Sequence, residues 1–158
     1  MKKQIKERRK YERYETELEV LFHVKYNLET KVSFQLIRGK VALAGKYMGV
    51  TRNVSAEGLR FNSSRKLTRG NQLYLEIFLP EQRKPIYMTG EVRWSKKLSK
   101  RKNNGFMFDT GVKLITVGRR RIAPTVHFEK KYGVYWSIVL DTIFSSFKKI
   151  VRKHQIVR

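Results

Sequence analysis

The sequence predicts an all-β protein, a small antiparallel barrel or sandwich, with one amphipathic α-helix at its carboxyl end. Two observations lead to this fold class. Apolar and polar residues alternate over several short segments, as in half-buried strands, and turn residues separate these segments at intervals of about ten residues. After Leu114 the apolar residues recur instead at intervals of three and four, which is the period of a helix.

Residues 1–14 are expected to be a basic arm that is disordered in the free protein, because they hold seven Lys and Arg against two Glu. Strict alternation then begins at Leu18 and runs to Tyr26, which predicts the first strand. The next strand candidates in the chain are Val32 to Leu36, Val41 to Leu43 and Val50 to Val54.

The second half of the predicted barrel is more regular. Leu59 to Phe61 is a short candidate, and Leu73 to Leu79 is the clearest central strand because Pro80 ends its alternation. Ile86 to Trp94 and Phe106 to Leu114 follow after turn residues. Five or six strands of this length favour a closed barrel or a sandwich, since closure removes exposed strand edges.

Two residues in the segment from Ile86 to Trp94, Gly90 and Trp94, carry separate predictions. Gly90 predicts a bulge or a close approach of backbone. Trp94 would stack on a nucleic-acid base if it faced solvent, as would Phe106 and Phe108, but its place in the alternation favours packing in the core.

An amphipathic helix is predicted from Val134 to Lys153, roughly 30 Å long. Residues 118–158 carry ten Lys and Arg against Glu129 and Asp141. Three roles fit this helix: its apolar stripe docks on the barrel, it mediates self-association, or it adsorbs to an acidic membrane surface. The predicted organisation is therefore a basic arm (1–14), a barrel (15–117) and a basic linker with a helix (118–158).

Composition supports a folded core and an anionic partner. The 158 residues are 41% hydrophobic, too apolar for a disordered basic tail, and 36 Lys and Arg against 13 Asp and Glu give a formal net charge of +23. That charge favours partners that carry phosphates or acidic lipids.

Several classes of function are excluded or disfavoured. The chain has no cysteine, and hence no disulfide scaffold, thiolate metal site or thiol nucleophile. His23, His127 and His154 form no spaced ligand cluster, so we expect no metal and no cofactor. No nucleophile elbow or phosphate loop is present, which argues against an enzyme. With no signal peptide or spanning segment, the expected location is the cytoplasm, with membrane association left open.

Two short groups of polar residues are candidates for a ligand site. Arg9 and Arg13 lie four apart, so two guanidinium groups can converge on one ligand, where Arg suits phosphate, guanine edges and base stacking. Asn53 and Ser55 lie two apart, so in an extended segment both face one way, and Gly58 permits a left-handed conformation or close backbone approach. Taken singly, each group also fits an ordinary basic arm or an ordinary turn.

Together, the Arg-x-x-x-Arg arm and the Asn-x-Ser-x-x-Gly turn about forty residues later resemble the PilZ domain family of cyclic di-GMP receptors. The resemblance extends to Gly90–Trp94 and Thr110–Leu114 and covers about Glu7 to Ile115. It implies a six-stranded antiparallel barrel, an arm that closes over the dinucleotide, and no catalytic activity.

The resemblance assigns six residues to the ligand site: Arg8, Arg9, Arg13, Asn53, Ser55 and Gly58. The arm arginines would grip phosphate and guanine, and the turn residues would line the barrel surface under the other base. The arginine before the arm motif is similar to that of members that bind an intercalated ligand dimer. Three departures from the family pattern are present. Many members have Asp where this chain has Asn53, and the interval Asn27–Gly49 is long enough for an extra strand pair or a projection. The region from Thr116 onward is not explained by the barrel.

The leading hypothesis is thus a cyclic di-GMP receptor that orders its arm on binding and signals to a downstream protein through a changed surface. The alternative is a small basic barrel that binds RNA or DNA, for which the +23 charge would be the direct explanation. A membrane-surface adaptor and a homo-oligomer acting through the carboxyl-terminal helix are the remaining hypotheses.

Overall fold

The computed structural model describes residues 31–39, 41–43, 45–79, 82–100, 105–130, 133–143 and 145. The basic arm, the first predicted strand and the predicted helix beyond residue 145 lie outside these residues. The described strands are β1 (Lys31–Arg38), β2 (Val41–Ala42), β3 (Tyr47–Val54), β4 (Gly58–Ser63), β5 (Gln72–Phe78), β6 (Ile86–Lys97), β7 (Phe108–Val117), β8 (Arg120–Arg121), β9 (His127–Glu129) and β10 (Val134–Trp136). A 3-10 turn spans Ala123–Thr125, and residues 138–143 form the helix α1.

Six of these strands close into an antiparallel barrel. Their order is β1, β3, β4, β7, β6 and β5, and β5 pairs back onto β1 over seven residue pairs, from Lys31 opposite Phe78 to Ile37 opposite Gln72. Closure pairs the backbone groups that would otherwise form free sheet edges. The six-stranded antiparallel barrel expected from the sequence is confirmed.

The long interval Asn27–Gly49 supplies a strand of the barrel itself. Its residues 31–38 are β1, which has β3 on one side and β5 on the other. Beyond the barrel, β2 pairs with the end of β1 as a short hairpin, with Ile37 opposite Ala42. The extra length is therefore used for closure and for one small extension.

Alternating apolar side chains fill the barrel. Phe34 and Phe61 are buried, and their ring centroids lie 5.0 Å apart, while the Tyr47 ring lies 5.5 Å from that of Phe34. Leu75 and Leu114 are also buried. Burying each such side chain contributes roughly 1.5–3 kcal/mol, which makes the barrel a rigid support for residues on its outer face.

Two irregularities in β6 change which way its side chains point. The pairing with β7 shifts between Thr89 and Gly90, and a Cβ on Gly90 would lie 2.4 Å from Val112 Cγ1, so both the expected bulge and the expected close approach are found. A second shift falls between Val92 and Trp94. Val92 is buried, but after the extra residue Trp94 points outward and is 40% exposed. The prediction that Trp94 packs in the core is wrong for this reason.

The carboxyl-terminal helix begins later than its periodicity predicts. Val134–Trp136 is the strand β10, paired with β9 so that Trp136 lies opposite His127, and α1 starts only at residue 138. Two side chains satisfy its first backbone groups: Thr125 Oγ1 accepts from the Ile138 N–H at 3.1 Å, and Ser137 Oγ accepts from the Val139 N–H at 3.1 Å. These caps fix the start of the helix.

The apolar side of α1 docks on the barrel. Val139 and Ile143 are buried in the same cluster as the barrel core, as is Ile122 from the segment after β8. These residues of α1 therefore dock on the barrel, which is one of the three roles considered for the helix. In the described part of the chain, no helix combines the length and apolar character needed to cross a membrane.

Candidate functional site

The turn between β3 and β4 is held by its own polar groups. Ser55 Oγ accepts from the Gly58 N–H at 3.1 Å, and the Ser55 N–H donates to the Gly58 carbonyl at 2.9 Å. The Glu57 carbonyl accepts from the Leu114 N–H at 2.7 Å, which ties the turn to β7. The residues Asn53, Ser55 and Gly58 are therefore presented from one fixed loop.

Gly58 serves this turn through its small size. It is not among the described glycines with a left-handed φ, so that part of the expectation is wrong. A Cβ at Gly58 would lie 3.1 Å from Ser55 Oγ, so the backbone here lies close to this hydroxyl. A larger residue would push against the hydroxyl that closes the turn.

An open groove of about 380 Å³ lies beside the turn on the outer face of the barrel. Residues from β3, the turn, β4, β6 and β7 line it: Asn53, Ser55, Glu57, Gly58, Leu59, Arg60, Arg93, Trp94, Gly111, Val112 and Lys113. The structure thus brings all three predicted turn residues to one cavity. It also places there parts of both late segments, Gly90–Trp94 and Thr110–Leu114, that carry the resemblance.

Trp94 gives the groove an aromatic surface. Its indole lies over the backbone of Gly111, where a Cβ would come within 2.3 Å of the ring atom Cε2. Lys96 Nζ lies 5.2 Å from the ring centroid, a cation–π distance. The half-exposed ring is therefore supported from below by a residue without a side chain.

The groove is basic. Arg60, Arg93 and Lys113 line it together with one acid, Glu57. Arg93 Nη1 lies 3.8 Å from Glu91 Oε1, a loose and exposed contact. Arg60 is bound to Asp109, and this hydrogen bond raises the pKa of the Arg60 guanidinium while burial lowers it less. The site can therefore attract an anion, and it contains a partly exposed indole.

A small cluster joins the back of the turn to the carboxyl-terminal segment. Ser137 Oγ donates to the Ala56 carbonyl at 2.6 Å, and both residues are buried. Ala56 also packs in a cluster with Trp136 and Leu140. The loop that faces the groove on one side thus contacts the start of α1 on the other.

Sequence reasoning found part of this site. Arg8, Arg9 and Arg13 lie outside the described residues, so the structure does not place them. Eight of the eleven groove residues were not assigned to the site from the sequence, among them Arg60, Arg93, Gly111 and Lys113. These residues lie in or beside the segments that carry the family resemblance, and this position was the only indication of them in the sequence. Which strand residues face outward depends on the bulges and the strand register.

The described residues contain no group of three or more His, Asp or Glu side chains arranged to hold a metal ion. His127 Nε2 lies 3.5 Å from Glu129 Oε2, and its Nδ1 lies 2.9 Å from the Thr125 carbonyl oxygen. The second of these contacts is the main cause of the raised pKa of His127. This histidine belongs to the β9–β10 hairpin and does not line the groove.

The structure thus defines a closed antiparallel β-barrel with a basic groove, lined in part by a tryptophan, on its outer face. The model of the PilZ domain family matches residues 7–122, more than half of the chain, and the chain therefore belongs to that family. No curated protein matches this sequence.

Two solved structures are similar. One is the inhibitor of motility MotI/DgrA from Bacillus subtilis, which is 14% identical with a TM-score of 0.49; the match covers 85% of this chain and 52% of that chain. This chain thus spans about half the length of that protein. The other is the PilZ domain with c-di-GMP of YcgR from Escherichia coli, 6% identical with a TM-score of 0.46, covering 84% of this chain and 92% of that chain.

Proposed function

We propose that this protein is a cyclic di-GMP receptor and adaptor without catalytic activity. The observation that carries the proposal is the position of Asn53, Ser55 and Gly58 in one basic groove beside an exposed tryptophan. Membership of the PilZ domain family supports the same ligand.

The chemistry of the groove suits the dinucleotide. Cyclic di-GMP has two phosphates, two guanine faces and two guanine edges with acceptor and donor atoms. Trp94 offers a face on which a guanine stacks, and Arg93 and Lys113 offer charge for a phosphate. The Asn53 amide carries both a donor and an acceptor for a guanine edge.

The arm completes the proposed site. Arg9 and Arg13 supply phosphate and guanine contacts from above the groove, and Arg8 supports a second, intercalated ligand molecule. The family match begins at residue 7 and so includes all three arginines. Binding orders the arm because the ligand supplies contacts that the free arm lacks.

Titration calorimetry tests the receptor proposal. We expect wild-type protein to bind cyclic di-GMP, and Arg13→Ala to lose about 2 kcal/mol or more of binding free energy by removal of a charge-assisted contact. Arg83→Ala, an exposed arginine between β5 and β6, is the matched control and should bind as wild type does. Absence of binding heat for the wild type at low and moderate salt would overturn the proposal.

Hydrogen exchange tests the arm. Amides of residues 2–14 should exchange fast in the free protein and slow down when cyclic di-GMP is added, because ordering protects them. Amides of the barrel strand β5, which is buried on its inner side, are the internal reference. An arm that is equally protected with and without ligand would contradict the ordering mechanism.

The proposed output surface is the carboxyl-terminal segment. Ala56 lies in the turn between β3 and β4 and contacts Ser137 and Leu140. A ligand that shifts this turn therefore changes the position at which α1 packs. A downstream protein would read that change. Since Val139, Leu140 and Ile143 are already buried, these α1 residues are not available as the apolar side of a membrane or dimer contact.

A nucleic-acid-binding function is the second candidate, and the charge of +23 is the observation that favours it. A dinucleotide with two negative charges uses only a few of the cations. The remaining charge fits an additional acidic partner, whether protein, membrane or nucleic acid.

A further inference from the structure

A buried carboxylate lies behind the groove on the outer face of the barrel. Asp109 is fully buried, and its carboxylate has three hydrogen bonds and one further ion-pair contact with Arg60 and Asn62 of β4. Arg60 Nε lies 3.0 Å from Oδ1 and 2.9 Å from Oδ2, and Arg60 Nη2 lies 2.8 Å from Oδ2. Asn62 Nδ2 donates to Oδ1 at 3.2 Å. The carboxylate is thus enclosed by donors.

The contact fixes the direction of the Arg60 fork. Asp109 takes the side of the guanidinium formed by Nε and Nη2, which leaves both N–H groups of Nη1 and one of Nη2 unused by this pair. The Arg60 side chain is 43% exposed and lines the groove, whereas the Asp109 side chain is 1% exposed. The end of the fork is the edge that pairs with two neighbouring acceptors.

Strand register places this fork in one row with the aromatic surface. Arg60 on β4 lies opposite Gly111 on β7, and Gly111 lies opposite Trp94 on β6. Because Gly111 has no side chain, the Trp94 indole lies over its backbone, and Arg60 is the next residue in the same row. A base stacked on Trp94 therefore has its edge within reach of a guanidinium in the same row.

We propose that Asp109 is a positioning residue that aims Arg60 at the O6 and N7 acceptors of guanine, and that the pair makes the site select guanine over adenine. Guanine presents two adjacent acceptors on this edge, whereas adenine replaces O6 with an amino donor that opposes the arginine donors. The inference rests on the proposed function, since it assigns the base chosen by the same site.

The position of the pair argues against a purely structural role. A buried ion pair is a weak source of stability, because desolvation offsets most of its attraction. Asp109 also lies opposite Asn62 on β4 and Lys96 on β6, in the row next to that of Arg60 and Trp94. What the carboxylate adds is a fixed orientation for one groove cation.

The test measures affinities of full-length protein for cyclic di-GMP and for its adenine counterpart, cyclic di-AMP, which has the same charge and backbone. Arg60→Lys keeps the charge but loses the fork, and Asp109→Asn keeps the shape but loses the two-oxygen acceptor. We expect each change to lower the preference for the guanine ligand by about tenfold, the scale of one bidentate base contact. The double variant should be no worse than Arg60→Lys alone, because Asp109 acts through Arg60.

Glu76→Gln is the matched control, since Glu76 also pairs with a cation, Lys46, at 2.7 Å but does not line the groove. It should leave the preference unchanged. If the preference for cyclic di-GMP over cyclic di-AMP survives Arg60→Lys, the inference is overturned, even if Asp109→Asn fails to fold. An additive loss of this preference in the double variant also overturns it. If wild-type protein binds neither ligand, the receptor proposal falls as well, so the two failures are distinguishable.

Discussion

At the scale of single residues, the groove depends on side chains that are small or missing. Gly111 leaves room for the Trp94 indole, and Gly58 leaves room for the Ser55 hydroxyl that closes the turn. Close packing makes such positions sensitive, because an added methyl group must displace an atom that is already in contact. The shape of the site therefore depends on these two glycines as much as on its polar groups.

We expect Gly111→Ala to weaken cyclic di-GMP binding by about 1–3 kcal/mol, the value of one base-stacking contact. The new Cβ would lie 2.3 Å from Trp94 Cε2, so the indole must move from its place in the groove. Calorimetry measures the loss. The same substitution in a Trp94→Ala background is the control, and an equal further loss there would show that the indole is not the cause.

At the scale of elements, the start of α1 joins three parts of the protein. Ser137 caps the helix through the Val139 N–H and binds the ligand turn through the Ala56 carbonyl. Thr125 Oγ1, from the 3-10 turn, accepts from the preceding backbone group, the Ile138 N–H. One hydroxyl therefore serves helix capping and turn anchoring together.

Ser137→Ala should destabilise the protein by about 1–2 kcal/mol, because it removes a helix cap and leaves the buried Ala56 carbonyl without this donor. Urea denaturation measures the change, with the exposed Ser99→Ala as control. If the carboxyl-terminal segment is the output surface, the ligand affinity of Ser137→Ala should also change by about fivefold or more. An unchanged affinity in folded protein would contradict that route.

At the scale of the whole molecule, the charge of +23 exceeds what a dinucleotide can use. Each phosphate that a protein neutralises releases counterions, so the salt dependence of binding counts the contacts. The cations of the groove are few: Arg60, Arg93 and Lys113 are those that line it in the described residues. The proposed dinucleotide therefore accounts for only a small part of the charge.

Binding of cyclic di-GMP should weaken by about tenfold between 50 and 200 mM salt, because it has two phosphates. A polynucleotide that contacts six to ten phosphates should lose about 10³–10⁵ in affinity over the same range. Titrations of both ligands at the two salt concentrations measure this difference. A steep loss for the dinucleotide would mean that many more cations contact it than the groove contains.

The sequence by itself determined the elements whose causes are local. Alternation from Leu73 to Leu79 and the turn at Asn53–Gly58 lie in short stretches of chain, so their strand, core and turn assignments follow from the period and the residue types. The motif residues also fixed the family. The helix start was misplaced because Val134–Trp136 pairs with β9, and this pairing has no signal in helical periodicity.

Only the tertiary structure decided which residues face the groove. The bulge between Val92 and Trp94 turns the indole outward, and the register of β4, β7 and β6 aligns Arg60, Gly111 and Trp94 in one row. Asp109 reaches Arg60 across 49 positions of sequence. Such contacts depend on how distant strands pair, and a shift of one residue would move every side chain to the opposite face.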